Sequence, residues 1–372
     1  MKVLFVFGTR PEAVKLAPVI NRMRESSTLE PVVCSTSQHV ALLQPVLELF
    51  DIQPEIDLGV MSPNQALGGL SGRILSGLDD VFTNVDPNAV IVQGDTTSTF
   101  CGALSAFYHR RPVGHVEAGL RTGNFDAPYP EEMNRVLTTR LTRWHFAPTE
   151  QNRQTLLDEG MPEEHVYLTG NPVIDALHEV RARIEGGALT PHTQALFSRF
   201  NRPFVLITGH RRESFGTPFR DLCQGLLAIA ERYSDIDLVY PVHLNPEVQR
   251  PVRALLEPAE NIHLLEPLGY EAFLALMHRA KFVITDSGGV QEEAPALGKP
   301  VLLMREETER KEALGGAVEM VGTDPNRIFA AADRLLTDNA HYEHMAQSQS
   351  PYGDGKAASR IVNILEKALC PR

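Results

Sequence analysis

Short apolar runs alternate with longer amphipathic segments along almost the whole chain. The runs are rich in β-branched and aromatic residues and have the length of buried strands, whereas the segments between them repeat apolar positions at helical spacing. Such alternation is typical of βαβ units and parallel sheets. In the first half of the chain it predicts strands at residues 3–7, 32–36, 89–93, 113–117, 145–148 and 166–168, and helices at residues 13–25, 41–50, 65–82, 98–109, 131–141 and 149–159.

The alternation stops after the turn at residues 170–172, where an Arg-rich helix and the stretch 186–198 indicate a passage between domains. It then begins again, with strands predicted at residues 204–208, 238–241, 262–264, 282–285 and 300–303, and helices at residues 219–233, 247–256, 270–279, 290–296 and 326–337. We therefore predict an α/β protein with two Rossmann-like, doubly wound parallel-sheet domains that face each other across a cleft. The predicted domains span residues 1–169 and 170–354, and residues 355–372 are predicted to form a helix that packs back on the N-terminal domain.

Length and composition agree with a two-domain protein and exclude some classes of function. A chain of 372 residues is too long for one ordinary core and predicts two domains of about 100–200 residues each. The net charge of −12 argues against a nucleic-acid partner, because phosphate backbones are bound by basic surfaces. The four cysteines are widely separated, and the N-terminal apolar run is shorter than a signal-peptide core of about 7–15 residues. We expect a cytoplasmic protein that neither binds nucleic acid nor enters a membrane.

Three carboxylates follow predicted strands or begin the next helix, namely Asp95, Glu117 and Glu131. Ligands of open α/β sheets bind outside the carboxyl ends of the strands, so these acids predict proton chemistry on a bound ligand. Each also has a structural alternative: Asp95 as a helix N-cap, Glu117 as an ion-pair partner of Arg121 or Arg135, and Glu131 as a first-turn residue favoured by the helix dipole.

Two βα turns are candidate anion sites, because free backbone N–H groups and the dipole at a helix N-terminus attract phosphate. The first is the turn at residues 8–12, with Arg10 and Lys15 as added cations. Its alternative is a tight turn with a solvated arginine and lysine. It has no G-x-G-x-x-G pattern, so a dinucleotide site is not predicted.

The second candidate turn contains Ser287, Gly288 and Gly289, where the backbone can approach a diphosphate closely. Glu293, one turn into the following helix, can accept hydrogen bonds from ribose hydroxyls. The alternative is a Gly-rich turn with a first-turn acid. His210 and His243 also follow predicted strands, where a histidine either contacts a departing diphosphate or makes a structural hydrogen bond.

Eight motifs occur in order between residues 3 and 310: FGTRPEAVKLAPVI, QGDTTSTF, HVEAGLRTG, PEEMNR, GNPVIDAL, TGHRRESFG, YPVHLNP and TDSGGVQEEAPALGKPVLLMREETER. In sequence and spacing they resemble the motifs of the non-hydrolysing UDP-N-acetylglucosamine 2-epimerases. The resemblance implies a GT-B-type fold, a homodimer, and reversible conversion of UDP-N-acetylglucosamine to UDP-N-acetylmannosamine for polysaccharide synthesis. It implies UDP elimination and re-addition through 2-acetamidoglucal, with no cofactor and no metal.

The resemblance also implies roles for individual residues. Asp95, Glu117 and Glu131 are expected to be the acid/base set, and His210 is expected to assist the departure of UDP. The residues expected to hold UDP are Arg10, Lys15, Phe273, Ser287, Gly288, Gly289, Glu293 and Arg310. Those expected to hold a second, activating UDP-N-acetylglucosamine are Gln38, His39, Arg211 and His243.

Other functions share parts of this pattern. A GT-B glycosyltransferase needs the UDP pocket but not the three acids together, and transfer of sugar to an acceptor would distinguish it. A nucleotide-sugar sensor would bind UDP-sugars without turnover. A hydrolysing 2-epimerase would release free N-acetylmannosamine. For the second-site residues, the alternative is that they only line the domain interface.

Overall fold

The computed structural model describes residues 1–37, 40–62, 65–209, 211 and 215–370. For residues 40–42 it describes the backbone alone. The chain divides into two compact units. Unit 1 comprises Met1–His178 and Tyr352–Arg372, and unit 2 comprises Glu179–Pro351. Each unit contains one parallel sheet with helices, so the predicted α/β class with two parallel-sheet domains is confirmed.

The sheet of unit 1 has, within the described residues, seven parallel strands in the order β3-β2-β1-β4-β5-β6-β7. The strands are β1 (Lys2–Phe7), β2 (Glu30–Ser35), β3 (Ile56–Asp57), β4 (Ala89–Gln93), β5 (Val113–Val116), β6 (Trp144–Ala147) and β7 (Val166–Leu168). The helices are α1 (Arg10–Arg24), α2 (Val40–Leu49), α3 (Leu67–Val85), α4 (Thr97–Tyr108), α5 (Glu131–Leu141), α6 (Glu150–Asp158) and α7 (Pro172–Glu185), which runs on into unit 2. The strand order reverses between β1 and β4, which is where an open α/β sheet forms a ligand-binding crevice.

The central strands are continuous apolar runs because helices cover both faces of the sheet. Every residue of β4 and β5 is buried, as are five of the six residues of β1. This burial of both faces explains why the apolar runs, rather than a period-two alternation, predicted these strands correctly.

The sheet of unit 2 comprises, in the part of the chain that the structure describes, six parallel strands in the order β10-β9-β8-β11-β12-β13. They are β8 (Phe204–Thr208), β9 (Asp237–Pro241), β10 (Ile262–Leu265), β11 (Val283–Thr285), β12 (Val301–Leu303) and β13 (Val318–Met320). The helices are α8 (Pro191–Phe197), α9 (Thr217–Arg232), α10 (Pro246–Leu256), α11 (Tyr270–Arg279), α12 (Gly288–Ala296), α13 (Pro325–Thr337) and α14 (Asn339–Ala346). The reversal of strand order lies between β8 and β11, so α12 begins beside the second crevice.

The last helix, α15 (Ala357–Leu369), packs against α1 of unit 1. Its first turn is held by the Asp175 carboxylate, which accepts hydrogen bonds from the backbone N–H groups of Ala357 at 3.1 Å and Ala358 at 3.0 Å. A carboxylate at a helix N-terminus satisfies backbone donors and complements the dipole. The C-terminal helix is therefore fixed to unit 1 by polar contacts as well as by packing.

Four short elements were not predicted from the sequence, namely β3, β13, α8 and α14. β3 has two residues and β13 three, and both lie at sheet edges, where little apolar sequence is needed. The stretch 186–198, interpreted as a passage between domains, contains α8, whose Thr190 and Thr193 hydroxyls donate to Glu271 at 2.6 and 2.7 Å. In the described ranges, no helix combines the length and apolar character needed to cross a membrane.

Candidate functional site

Three neighbouring strands of unit 1 end at the same edge of the sheet and carry the candidate groups. The first βα turn follows β1, Asp95 lies two residues after β4, and Glu117 directly follows β5. Because the strands are parallel and adjacent, the turn and the two acids share the carboxyl edge at the switch point of the sheet. The prediction that Asp95 and Glu117 lie at strand ends is therefore correct, and the structure adds that these strands are neighbours.

Glu117 is a buried acid in an unusual backbone conformation. Its φ of +65° lies in the left-handed region, which a non-glycine residue rarely adopts and which costs about 1–3 kcal/mol. Its Oε2 atom accepts a hydrogen bond from the Lys15 ammonium at 2.5 Å and another from the Gln93 amide. The acid is thus ion-paired with Lys15, and neither Arg121 nor Arg135 takes that role in the described contacts. A strained backbone at a paired acid is typical of a functional constraint.

Asp95 is a partly exposed acid, with 29% of its side chain accessible. Its carboxylate is ion-paired with Arg135, and its backbone carbonyl accepts a hydrogen bond from the Asn134 side chain at 2.9 Å. The N-cap of α4 is Thr96, whose hydroxyl accepts the Thr99 N–H at 3.2 Å, so Asp95 is not that cap. The carboxylate is therefore held in place while one side remains accessible to a ligand.

The two acids that begin α5 differ in their surroundings. Glu132 is 1% exposed and accepts hydrogen bonds from the N–H groups of Thr122 and Gly123, each at 3.0 Å. It also lies 3.2 Å from Arg135. Glu131 is partly exposed in the first turn of α5. This position also agrees with its structural alternative, a first-turn acid favoured by the helix dipole. Glu132 therefore fixes the preceding loop, and Glu131 is the acid that a ligand can reach.

Glu12 is a buried acid that the sequence analysis did not single out. Its Oε2 atom accepts the N–H groups of Gly8 at 3.0 Å and Thr9 at 2.8 Å, and its Oε1 atom accepts the hydroxyls of Thr96 at 2.7 Å and Thr99 at 3.0 Å. Burial raises the pKa of this carboxyl, and the hydrogen bonds oppose that rise. Glu12 thereby ties the turn after β1 to the turn that bears Asp95. The Thr-x-x-Glu spacing of a capping box was the signal that could have found it.

The two cations of the first turn have different environments. Arg10 is exposed at the start of α1, whereas Lys15 is 6% exposed and bound to Glu117. A solvated lysine, the structural alternative considered from the sequence, is therefore wrong for Lys15. Its ammonium already serves an acid of the site.

In unit 2, Arg310 lies across the start of α12. A Cβ atom added to Gly288 would meet the Arg310 Nη1 atom at 2.7 Å, so any larger residue would displace this guanidinium. Arg310 is ion-paired through Nε with Glu292 at 2.6 Å and through Nη1 with Glu309. The helix N-terminus and an oriented arginine are thus brought together, as phosphate binding requires.

Glu309 also pairs with Arg305, whose Nη1 atom lies 3.2 Å away. Burial opposes the ionisation of Glu309, but the charges of Arg310 and Arg305 outweigh it and hold the pKa of this carboxyl well below its usual range. Glu292, Glu309 and Arg305 were not predicted, because the contacts of Arg310 join α12 to the segment after β12 only in the folded chain.

Glu293 is a buried carboxylate of α12 that accepts a hydrogen bond from the Tyr270 hydroxyl at 2.8 Å. Tyr270 begins α11, and Phe273 follows one turn later, partly exposed. Ser287 and Gly289 are partly exposed at the start of α12. The predicted ribose and diphosphate residues therefore lie together on α12, and Tyr270 links Glu293 to the helix that bears Phe273.

Arg211 and His243 follow neighbouring strands of unit 2. The N–H of Arg211 donates to the Asp286 carboxylate at 2.8 Å, and its Nε donates to the Asp286 carbonyl at 3.1 Å. His243 is exposed, and its Nδ1 atom accepts the Asn245 N–H at 3.1 Å. The remaining predicted residues, His210, Gln38 and His39, lie outside the described residues. Among the residues that the structure describes, no group of three or more His, Cys, Asp or Glu side chains could hold a metal ion.

Comparison with known proteins extends the resemblance seen in the motifs. The sequence model of the family described as UDP-N-acetylglucosamine 2-epimerase matches residues 21–366. A UDP-N-acetylglucosamine 2-epimerase of Yersinia pestis is 50% identical over 373 residues, covering 98% of either chain.

Two solved structures show the same likeness in three dimensions. The UDP-GlcNAc 2-epimerase of Neisseria meningitidis bound to UDP-GlcNAc matches with a TM-score of 0.95 and 45% identity, covering 99% of this chain and 100% of that one. The enzyme of Methanocaldococcus jannaschii in complex with UDP-GlcNAc and UDP matches with a TM-score of 0.85 and 32% identity, covering 98% and 99%. Because the family model and these relatives extend over nearly the whole chain, the chain belongs to the UDP-N-acetylglucosamine 2-epimerase family.

Proposed function

We propose that this protein catalyses the reversible epimerisation of UDP-N-acetylglucosamine at C2, giving UDP-N-acetylmannosamine. The observation that carries the proposal is the pair of acids at the ends of β4 and β5. Asp95 and Glu117 follow adjacent parallel strands, and each is ion-paired with a cation, Arg135 and Lys15 respectively. Carboxylates held in this way are suited to moving a proton on a bound ligand.

The proposed reaction is an elimination followed by an addition. A base takes the proton from C2 as the bond between C1 and the UDP oxygen breaks, which gives 2-acetamidoglucal and UDP. A proton then reaches C2 from the opposite face, and the UDP oxygen bonds to C1 again. Protons on two faces require at least two acid/base groups. We assign this work to Asp95, Glu117 and Glu131 as a set.

We assign UDP binding chiefly to unit 2. The start of α12 offers the N–H groups of Ser287, Gly288 and Gly289 to the diphosphate, Glu293 accepts from the ribose hydroxyls, and Phe273 contacts the uracil. The charge of Arg310 is largely balanced by Glu292 and Glu309. Its role is therefore to orient the diphosphate as much as to attract it. The dipole of α12 stabilises the charge that grows on UDP as it departs.

Further assignments rest on the family resemblance. We infer that Arg10 adds a cation near the diphosphate and that His210 assists UDP departure. We also infer an activating UDP-N-acetylglucosamine site at Gln38, His39, Arg211 and His243. Lys15, expected from the resemblance to hold UDP, acts in this proposal through Glu117.

We also infer that the protein is a homodimer, as the resemblance implies, and that it is cytoplasmic, as its cysteines and composition favour. Unit 1 has exposed aromatic side chains at the end of α4, where Phe107 is 60% and Tyr108 is 64% accessible. Clustered exposed apolar side chains are typical of protein interfaces. Sedimentation velocity should give twice the mass of one chain, and a concentration-independent monomer would contradict the dimer.

Incubation with UDP-N-acetylglucosamine in deuterated water, followed by proton NMR, tests the proposed function. We expect UDP-N-acetylmannosamine with deuterium at C2, and deuterium at C2 of the recovered substrate as the reaction reverses. Product that keeps the original C2 proton would exclude elimination. Free N-acetylmannosamine would indicate hydrolysis, and a sugar transferred to an acceptor would indicate a glycosyltransferase.

A further inference from the structure

His115 is a fully buried histidine in β5, two residues before Glu117. Its Nε2 atom lies 2.7 Å from the carbonyl oxygen of Gly94, which directly precedes Asp95 at the end of β4. β4 and β5 are hydrogen-bonded neighbours, so this contact joins the two strands that bear the candidate acids. It is a contact between a side chain and the backbone at the base of the site.

The direction of this hydrogen bond follows from chemistry. A carbonyl oxygen only accepts, so the proton must lie on Nε2. Burial lowers the pKa of His115 to about 4; the hydrogen bond to Gly94 opposes this shift, and the nearby charges of Arg121 and Arg135 add to it. The imidazole is therefore neutral near pH 7 and carries its one N–H towards Gly94. Its Nδ1 atom has no hydrogen-bond partner among the residues the structure describes.

The turn that His115 contacts needs such support. Gly94 has a φ of +72°, and its N–H donates to the Val116 carbonyl at 3.0 Å. The carbonyl of Asp95 itself accepts a hydrogen bond from the Asn134 side chain at 2.9 Å. The peptide between Gly94 and Asp95 is thus fixed on one side by His115, and its orientation sets the direction in which the Asp95 side chain leaves the strand.

We propose that His115 is a positioning residue for Asp95, which its Nε2–H holds in place through the Gly94 carbonyl. The inference deepens the proposed epimerisation and rests on it. His115 is buried beneath the turn and does not itself reach the substrate. Loss of the hydrogen bond should change the placement of the acid, and displacement of a reacting group by about 1 Å can cost up to about 10²-fold in rate.

A matched control lies on the next strand. His145 of β6 pairs in register with His115, is 1% exposed, and has its pKa lowered by burial to about 3. In the described contacts its imidazole makes no hydrogen bond to Gly94 or Asp95. Replacement of either histidine therefore disturbs the same sheet, but only replacement of His115 removes a support of Asp95.

The test compares His115→Leu, His115→Gln and His145→Leu in the full-length protein. Leucine has a similar size without a donor, whereas the glutamine amide can still donate to Gly94. We expect His115→Leu to lower kcat about tenfold or more, with KM and the Kd for UDP changed less than about twofold. We expect His115→Gln to recover most of kcat, and His145→Leu to keep kcat even where its Tm falls as far as that of His115→Leu.

Several outcomes would overturn the inference: normal kcat in His115→Leu, equal losses in the leucine and glutamine variants, or an equal loss in His145→Leu. If His115→Leu does not bind UDP, His115→Asn and His115→Gln replace it in the comparison, because the shorter amide does not reach Gly94. Equal kcat in these two amide variants would also overturn it. A wild-type protein that does not exchange C2 hydrogen would instead overturn the proposed function, and with it the role of His115.

Discussion

At the scale of single residues, the candidate acids depend on partners that are distant in sequence. Asp95 and Glu117 could be predicted because each follows an apolar run that reads as a buried strand. The pairing of Glu117 with Lys15 could not, because the two residues are 102 positions apart and meet only when β1 and β5 enter one sheet. The family resemblance implies that Lys15 binds UDP. In the structure, however, the Lys15 ammonium donates a hydrogen bond to Glu117.

This contact predicts the behaviour of Lys15→Met. The change leaves Glu117 buried without its cation, and breaking a buried ion pair costs about 3–5 kcal/mol of stability. We expect a large fall in the free energy of unfolding and a loss of turnover of at least about tenfold. The double variant Lys15→Met with Glu117→Gln removes both charges, so it should regain stability while staying inactive. Urea denaturation of the four proteins measures this, and a double variant as unstable as Lys15→Met would contradict the pairing.

At the scale of elements, α5 begins with two acids whose surroundings assign them different tasks. Glu132 fixes the loop before the helix through the N–H groups of Thr122 and Gly123, and Glu131 is left accessible. We expect Glu131→Gln to lower kcat about 10²-fold, as for loss of an acid/base group, with a smaller change in Tm than Glu132→Gln. We expect Glu132→Gln to lower Tm instead. Thermal denaturation and initial rates distinguish them, and normal turnover in Glu131→Gln would make that residue structural.

The paired histidines of β5 and β6 predict how stability depends on pH. Burial lowers the pKa of His115 to about 4 and that of His145 to about 3, below the usual value of 6.5. Between those values and 6.5 the unfolded chain binds more protons than the folded one, so the free energy of unfolding falls as the pH falls. Each histidine should contribute a loss of about 3 kcal/mol by pH 4.

The measurement is urea denaturation of the protein between pH 7 and pH 4. Unfolding of unit 1 is followed by the fluorescence of Trp144, which lies in β6 of this sheet. His145→Gln removes one titrating group and should flatten the pH dependence. His192→Gln is the control, because His192 is exposed on α8 and solvent reaches it in both states. An unchanged slope in His145→Gln would mean that this imidazole does not lose protons on folding.

The fold was more predictable than the site because parallel sheets leave a strong signal. Strands buried on both faces appear as apolar runs, and β1, β4 and β5 were located within one or two residues. β3 and β13 were missed since edge strands of two or three residues need no such run. The network of Glu12 with both turns was missed because hydrogen bonds between loops follow tertiary structure rather than local sequence.

At the scale of the whole molecule, the two units carry different parts of the proposed reaction. The acid/base set belongs to unit 1, and the start of α12 with Arg310 belongs to unit 2. Substitutions should therefore separate proton transfer from UDP binding. This division agrees with membership in a family whose model spans residues 21–366, and thus both units.

Three variants test the division of function between the units. Glu117→Gln should lower kcat and C2 deuterium exchange about 10²-fold while the Kd for UDP stays unchanged. Gly288→Ala should weaken UDP binding, because its Cβ atom would lie 2.7 Å from the Arg310 Nη1 atom, and Glu292 and Glu309 restrain that guanidinium. If the effect passes through Arg310, Gly288→Ala should cost little more in the background of Arg310→Ala, since coupled residues are not additive. Calorimetry with UDP supplies the Kd values. A normal Kd in Gly288→Ala, or a weakened one in Glu117→Gln, would show that the two tasks are not divided between the units in this way.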